Sequence, residues 1–247
     1  MIFIDSRTSG KTRCPLPGNR HNFTYISSST MPGLEKRPGK NIREPDSPAD
    51  PYPHTIEQLR KLAAVCQACP LWKRATQTVF GEGPPRAEIM LVGEQPGDSE
   101  DLTGRPFVGP AGEILNRALE ESAIERQRVY VTNVVKHFKW TPRGKRRIHE
   151  TPRAAEIQAC LPWLYAEIDR VQPKILVCLG ATAAKALLGS DFRVSRQRGE
   201  RVRSDLAPNV MATVHPSSLL RIKEKEERDR EIEHFISDLT KAAGLLK

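Results

Sequence analysis

Aromatic residues are scarce in this 247-residue chain, at 6% of the total, and there are only five cysteines. So few cysteines over this length, and an odd number of them, exclude a disulfide framework and lead us to expect a reduced, cytoplasmic setting. Long hydrophobic runs are also missing. The apolar runs present, such as Ile89–Val92 and Ile175–Leu179, are strand-sized, which argues against a membrane span or a membrane partner. No basic segment near the N-terminus leads into a long apolar one, so secretion is not expected. Positive charge, by contrast, is abundant: 39 Lys+Arg against 30 Asp+Glu, a formal balance of +9. That excess points to an anionic partner, nucleic acid foremost. The length suits one α/β domain of about 200 residues with a tail, or two small domains.

Residues 1–54 differ from the rest. They hold eight of the 20 prolines and a hydroxyl run at Ser27–Thr30, with no periodic apolar face. Such a segment cannot bury enough surface to offset its chain entropy, so a disordered extension is expected, with Cys14 a bystander. From Thr55 onward, helical spacing over Thr55–Cys66, Ala111–Ile124, Ala154–Val171, Ala181–Leu188 and Glu224–Leu246 alternates with short apolar runs at Ala87–Val92, Val129–Val135, Lys174–Leu179 and Val210–Val214. The pattern predicts an α/β fold, a three-layer α/β/α sandwich around a mainly parallel four-stranded sheet, with a basic loop after the second strand. In such folds ligands collect at the carboxyl ends of the strands. Each strand runs into a distinct cluster there: Gly93 to Asp98, then Asn133, then Gly180, then His215 to Ser218.

Two of these clusters are long motifs. LVGEQPGDSEDLTGRPFVGPAG over 91–112 is neither a P-loop nor a dinucleotide fingerprint. It reads either as an ordinary glycine-rich strand-to-helix loop or as a site, with Glu94 and Gln95 at the strand end and Phe107 free to stack on a base. HPSSLLR over 215–221 places a histidine after a strand, with Pro216 fixing the backbone and Ser217 and Ser218 able to cap the next helix. A lone histidine of this kind is more often structural; its position where strand ends converge favours ligand contact. Cys66 and Cys69 lie on one turn, a spacing shared by zinc and iron–sulfur sites, while a thioredoxin-like redox pair lacks its preceding strand.

From Thr55 to the C-terminus the chain resembles the uracil-DNA glycosylase superfamily, specifically its iron–sulfur-containing family 4, through GExPG…EDxxGxPFVGxAG at 93–112 and HPSxLLR at 215–221. Three departures point to the X-type subgroup, which becomes covalently joined to uracil-containing single-stranded DNA. They are Gln95 in place of the usual Ala, no Cys within Val134 to His137, and an inserted Arg143 to His149 whose KRRIH stretch, Lys145–His149, is that subgroup's hallmark. The resemblance implies a glycosylase that frees uracil and is itself consumed. His149 would be the nucleophile toward the sugar C1′, Glu94 the carboxylate supporting or orienting it, and His215 the donor to uracil O2. Gly93, Gln95, Phe107, Asn133, Ser217 and Arg147 would bind substrate, with Asn133 reading the uracil amide edge. From spacing alone, 143–149 reads instead as a basic phosphate-contacting loop with an incidental histidine, and the six Lys/Arg between Lys136 and Arg147 as the surface for DNA phosphates.

The resemblance also implies a 4Fe–4S cluster on Cys66, Cys69, His137 and Cys160, with Cys178 in reserve although its apolar run reads as core. Uracil-containing single-stranded DNA and free uracil are the expected partners of a monomeric chain. Two alternatives stay open: a turnover glycosylase in which Glu94 activates water, and a non-enzymatic iron–sulfur DNA-binding module.

Overall fold

A computed structural model describes residues 55–246; the expected 1–54 extension, including Cys14, and Lys247 lie outside the described residues. The chain enters through α1 (Ile56–Ala63), whose first turn is closed by a reciprocal capping box between Thr55 and Gln58. Six strands and seven further helices follow: β1 (Ile89–Gly93), α2 (Asp98–Thr103), α3 (Pro110–Glu121), β2 (Val129–Asn133), β3 (Trp140–Arg143), β4 (Arg146–His149), α4 (Ala154–Val171), β5 (Ile175–Leu179), α5 (Ala181–Leu188), α6 (Val194–Gln197), β6 (Asn209–Thr213), α7 (Pro216–Leu219) and α8 (Lys225–Gly244). Strands β2, β1, β5 and β6 lie side by side in that order and are all parallel. The remaining pair, β3 and β4, forms a separate antiparallel hairpin.

The parallel sheet is buried on both faces, so its strands carry apolar side chains at most positions. Met90, Val92, Tyr130, Leu176, Cys178, Val210 and Ala212 face one core with α1 and α4. Ile89, Leu91, Val131, Val177 and Met211 face the other with α3 and α8. Nearly all of the burial stabilising the fold lies in these two layers, at about 25 cal/mol per Å² of apolar surface. Among the described residues no helix is long and apolar enough to cross a membrane.

Three features depart from the expectation. The stretch foreseen as a basic loop is the β3–β4 hairpin, turned at Gly144, which takes a left-handed φ of +60°. Pro142 and the charged side chains hide its alternation. Lys136 and Lys139, expected among the exposed cations, are buried. Lys136 spends its three ammonium hydrogens on Glu167 of α4, the Thr132 hydroxyl (2.6 Å) and the Asn133 carbonyl (2.7 Å). Glu167 is further bound by Tyr130 Oη and the Gly81 N–H. Lys139 pairs with Glu156 at 3.1 Å and Glu150 at 3.3 Å. A buried charge is tolerated when paired and hydrogen-bonded in this way, so neither lysine is available to a phosphate.

Candidate active site

At the carboxyl ends of the sheet the loops enclose a cleft of about 470 Å³, walled by Glu94, Phe107, Asn133, Thr182, His149 and His215 among others. Its floor is set by glycine. A Cβ on Gly93 would lie 2.4 Å from Asn133 Oδ1, 2.8 Å from the Phe107 ring and 3.4 Å from His215 Nε2, so three candidate base contacts converge where Gly93 has no side chain. Phe107 is held with φ at +56°, a conformation costing a non-glycine residue about 1–3 kcal/mol. It is clamped from two sides. A side chain at Gly112 would strike the Phe107 carbonyl. Glu100 accepts from the Val108 and Gly109 amides at 3.0 and 2.8 Å and from Gly97 at 2.9 Å, bending the whole motif into one loop. Glu100 is thus a second carboxylate at this end of the sheet beside Glu94, and it is committed to backbone amides.

The rings of Phe107 and His215 are near-parallel, 27° apart, with centroids at 6.0 Å. The Ser217 N–H donates to His215 Nδ1 at 3.1 Å, and Ser217 Oγ lies 2.8 Å from the same nitrogen. Nδ1 therefore presents its lone pair, and the proton of the neutral ring sits on Nε2, facing Gly93. Burial keeps the ring neutral by lowering its pKa to about 4. The nearby His149 and Arg221 push in the same direction and Glu94 opposes them. Ser217, expected against the substrate, thus spends its polar groups on aiming His215. The Asn133 side chain is buried at the end of β2, and its Oδ1 has no hydrogen-bond partner among the described residues.

Glu94 is held between two elements. Thr182 Oγ1 donates to its Oε2, and His149 Nε2 lies 3.3 Å from its Oε1, close but without hydrogen-bond alignment. Burial alone would raise the Glu94 pKa; His149, Thr182 and His215 together hold it below the usual carboxylate value. The His149 side chain is 47% exposed, and its ring centroid lies 6.3 Å from that of Phe138.

His149 reaches the cleft because the hairpin is anchored at both ends. Gln95 clips its base, donating to the Lys139 and Glu150 carbonyls (3.2 and 3.0 Å) and accepting from the Lys139 amide (3.1 Å). Gln95 lines the cleft, yet its amide serves the hairpin. Arg147, expected on the substrate, is likewise turned inward: it binds Asp98, the buried Asp101 at 2.6 Å and Thr76 Oγ1 at 3.2 Å. Only Arg143, Lys145 and Arg146 of the six expected cations remain exposed. Sequence reasoning passed over Thr182, Glu100 and Asp101. An acidic pair inside a glycine-rich loop was a signal for the last two, whereas Thr182 carried none.

The metal-capable residues Cys66, Cys69 and Cys160 lie in the core layer that holds α1 and α4. The Trp163 indole N–H donates to Cys66 Sγ and the Lys136 amide to Cys160 Sγ, each at 3.2 Å, while the Leu71 backbone hydrogen-bonds Cys69. Burial pushes the Cys160 thiol up to about 12 and the Cys69 thiol upward too, and the neighbouring cysteines add to both shifts. Cys178 is raised by burial alone and sits in the sheet core. His137 Nε2 lies 2.9 Å from Thr78 Oγ1, whose hydrogen goes to the Ala63 carbonyl. His137 therefore donates from Nε2 and leaves Nδ1 free. The same Ala63 carbonyl accepts the Cys66 amide at 3.0 Å. No group of three metal-capable side chains at single-ion spacing occurs among the described residues. A cubane of four irons holds its ligands farther apart than one ion does.

The family model for the uracil DNA glycosylase superfamily matches residues 80–240. A type-4 uracil-DNA glycosylase of Thermotoga maritima is 39% identical over 199 residues, covering 78% of this chain and 98% of that protein. The type-4 enzyme of Sulfurisphaera tokodaii is 38% identical over 174 residues, covering 67% of this chain and 76% of its own length. A type-5 uracil-DNA glycosylase of Pyrobaculum aerophilum is 29% identical over 185 residues, covering 68% and 75%. The family match spans the whole parallel sheet and both motifs that shape the cleft, so the chain belongs to the uracil-DNA glycosylase superfamily and is family-4-like.

Proposed function

We propose that this chain removes uracil from single-stranded DNA and then joins itself to the sugar through His149. The observation that carries this reading is the meeting of His149 and Glu94 in the same cleft as the unpartnered Asn133 oxygen and the neutral His215. An extruded uracil stacks on Phe107; Asn133 Oδ1 accepts from its N3–H, and the side-chain amide donates to O4. Cytosine, with an amino donor at that position, would leave Asn133 mismatched. As the C1′–N1 bond breaks, its electron pair stays with uracil, and His215 Nε2–H donates to O2 where the charge collects. The electron-poor C1′ then takes the lone pair of the unprotonated ring nitrogen of His149, leaving an imidazolium. The proton on the other ring nitrogen passes to Glu94, which its surroundings keep ionised, and from there to solvent or the departing base. Every group named comes from one chain, so a monomer suffices, and residues 55–247 form the domain that acts.

The donor set at Cys66, Cys69, Cys160 and His137 suits a 4Fe–4S cluster: N–H groups aimed at sulfur, and an imidazole with Nδ1 free. When bound, the cluster would tie α1 to α4 and to the segment after β2; its part is structural, and raised thiols of this kind lose their protons to the metal. We expect the purified protein to contain iron and absorb in the visible range, and Cys160→Ala to lose both along with thermal stability. A colourless protein with stoichiometric zinc would overturn the cluster.

A second reading, hydrolytic turnover with Glu94 activating water, draws on the type-4 names of the relatives. Denaturing electrophoresis after incubation with a uracil-containing single strand separates the two. A band retarded by the mass of the protein supports capture, and free abasic DNA without such a band supports turnover. Binding without loss of uracil would leave a DNA-binding module.

A further inference from the structure

The carboxylate of Glu94 has two oxygens with different surroundings. Oε2 receives the Thr182 hydroxyl, 88 residues away in sequence, while Oε1 is buried, faces His149 Nε2 at 3.3 Å and has no aligned donor. Thr182 is the second residue of α5, and with Gly180 and Ala181 it lines the cleft. Without that hydroxyl the carboxylate could rotate about its last bond, and nothing else described would hold Oε2. The titratable groups facing Glu94 are His149 from β4 and His215 from the turn after β6. Of the other charged groups on the cleft, Glu100 is spent on amides and Arg221 is an exposed residue acting on His215.

We propose that Thr182 is a positioning residue that decides the fate of the sugar: by pinning one oxygen of Glu94 it turns the other toward His149, favouring capture by the imidazole over hydrolysis. This rests on the roles of Glu94 and His149 given above. A freed carboxylate would present either oxygen to water as readily as to the histidine. The hydroxyl also favours the ionised form of Glu94, so its loss makes the carboxylate easier to protonate. Thr182 is half-buried on a helix that needs no hydroxyl for its own bonding, and valine keeps the branched shape.

The test is the full-length chain against its Thr182→Val and Thr182→Ser variants, on a uracil-containing single strand across a pH series. Adduct and free abasic DNA are scored in the same lanes, and far-UV circular dichroism monitors the fold. Thr182→Val should lower the ratio of adduct to released abasic DNA by about tenfold, the size of one hydrogen bond to a charged group. Its acid limb should move to higher pH. Thr182→Ser should restore both ratio and pH profile. An unchanged ratio and limb in a folded Thr182→Val overturns the proposal, as does equal impairment of valine and serine variants, which marks a merely structural role. Should valine not fold, Thr182→Ala is read by the same two criteria. If the unaltered chain yields abasic DNA and no adduct, the capture reading fails by itself. The acid limb of uracil release then decides for Thr182, supporting its hold on Glu94 if the limb shifts in the valine variant and overturning it if not.

Discussion

Replacing His149 by serine should abolish the denaturant-resistant adduct while uracil continues to be released. The side chain stands at the end of β4, partly exposed, with Nε2 3.3 Å from Glu94 and its ring beside Phe138. Nothing in the base pocket depends on it: Asn133, Phe107 and His215 are held by β2, by the Gly93–Gly112 loop and by Ser217. Serine removes the imidazole, and the space beside Glu94 admits water. A neutral imidazole is a competent nucleophile near neutral pH, and fixing it against the reacting carbon multiplies its advantage, so adduct yield should fall by at least about 10²-fold. The gel should show alkali-labile abasic DNA where the retarded band had been. Mass spectrometry of the unaltered conjugate should place deoxyribose on the peptide containing His149. An adduct that survives in His149→Ser, or a sugar found on another peptide, overturns the nucleophile assignment.

The sheet was legible because a parallel sheet covered on both faces writes itself as short continuous apolar runs, and Ile89–Val92 and Ile175–Leu179 are such runs. The two long motifs were legible for a different reason: their glycines and His215 are required by close approaches, and Gly93 and Gly112 have no room for a Cβ. Partnership across distance was not legible. Lys136, Lys139 and Arg147 look in sequence like three more cations in a basic run, because a lysine carries no mark of where its counter-charge lies. Glu167 is 31 residues on, in α4, and Asp101 is 46 residues back, in α2. The hairpin was missed for a related reason. Its strands are exposed and its stability comes from Gln95, Arg147 and the Trp140 indole bound to the Arg74 carbonyl at 3.0 Å, none of which gives an alternating apolar signature. The hydrogen bond from Thr182 to Glu94 belongs to the same class.

His215→Ala should fail in a way that His149→Ser does not. If His215 donates to O2 while the glycosidic bond breaks, its loss acts before any nucleophile is needed, and release and adduct formation must fall together. Removing one preorganised donor to a developing oxyanion costs about 10²–10³-fold, and single-turnover rates of both products should drop by that factor. Glutamine, which keeps an N–H donor at similar reach, should recover part of it. The same geometry makes a pH prediction. With its pKa lowered to about 4, chiefly by burial, His215 stays neutral through the neutral range, so its protonation places no inflection there in the rate of base release. Nitrogen-resolved NMR should find Nε2 protonated and Nδ1 bare, as the Ser217 amide requires. A ring titrating near its ordinary value, or a His215→Ala variant that loses adduct yet frees uracil at the normal rate, would move this histidine from bond cleavage to capture. The double variant separates the steps further: if cleavage gates capture, His149→Ser adds nothing to the slow uracil release of His215→Ala.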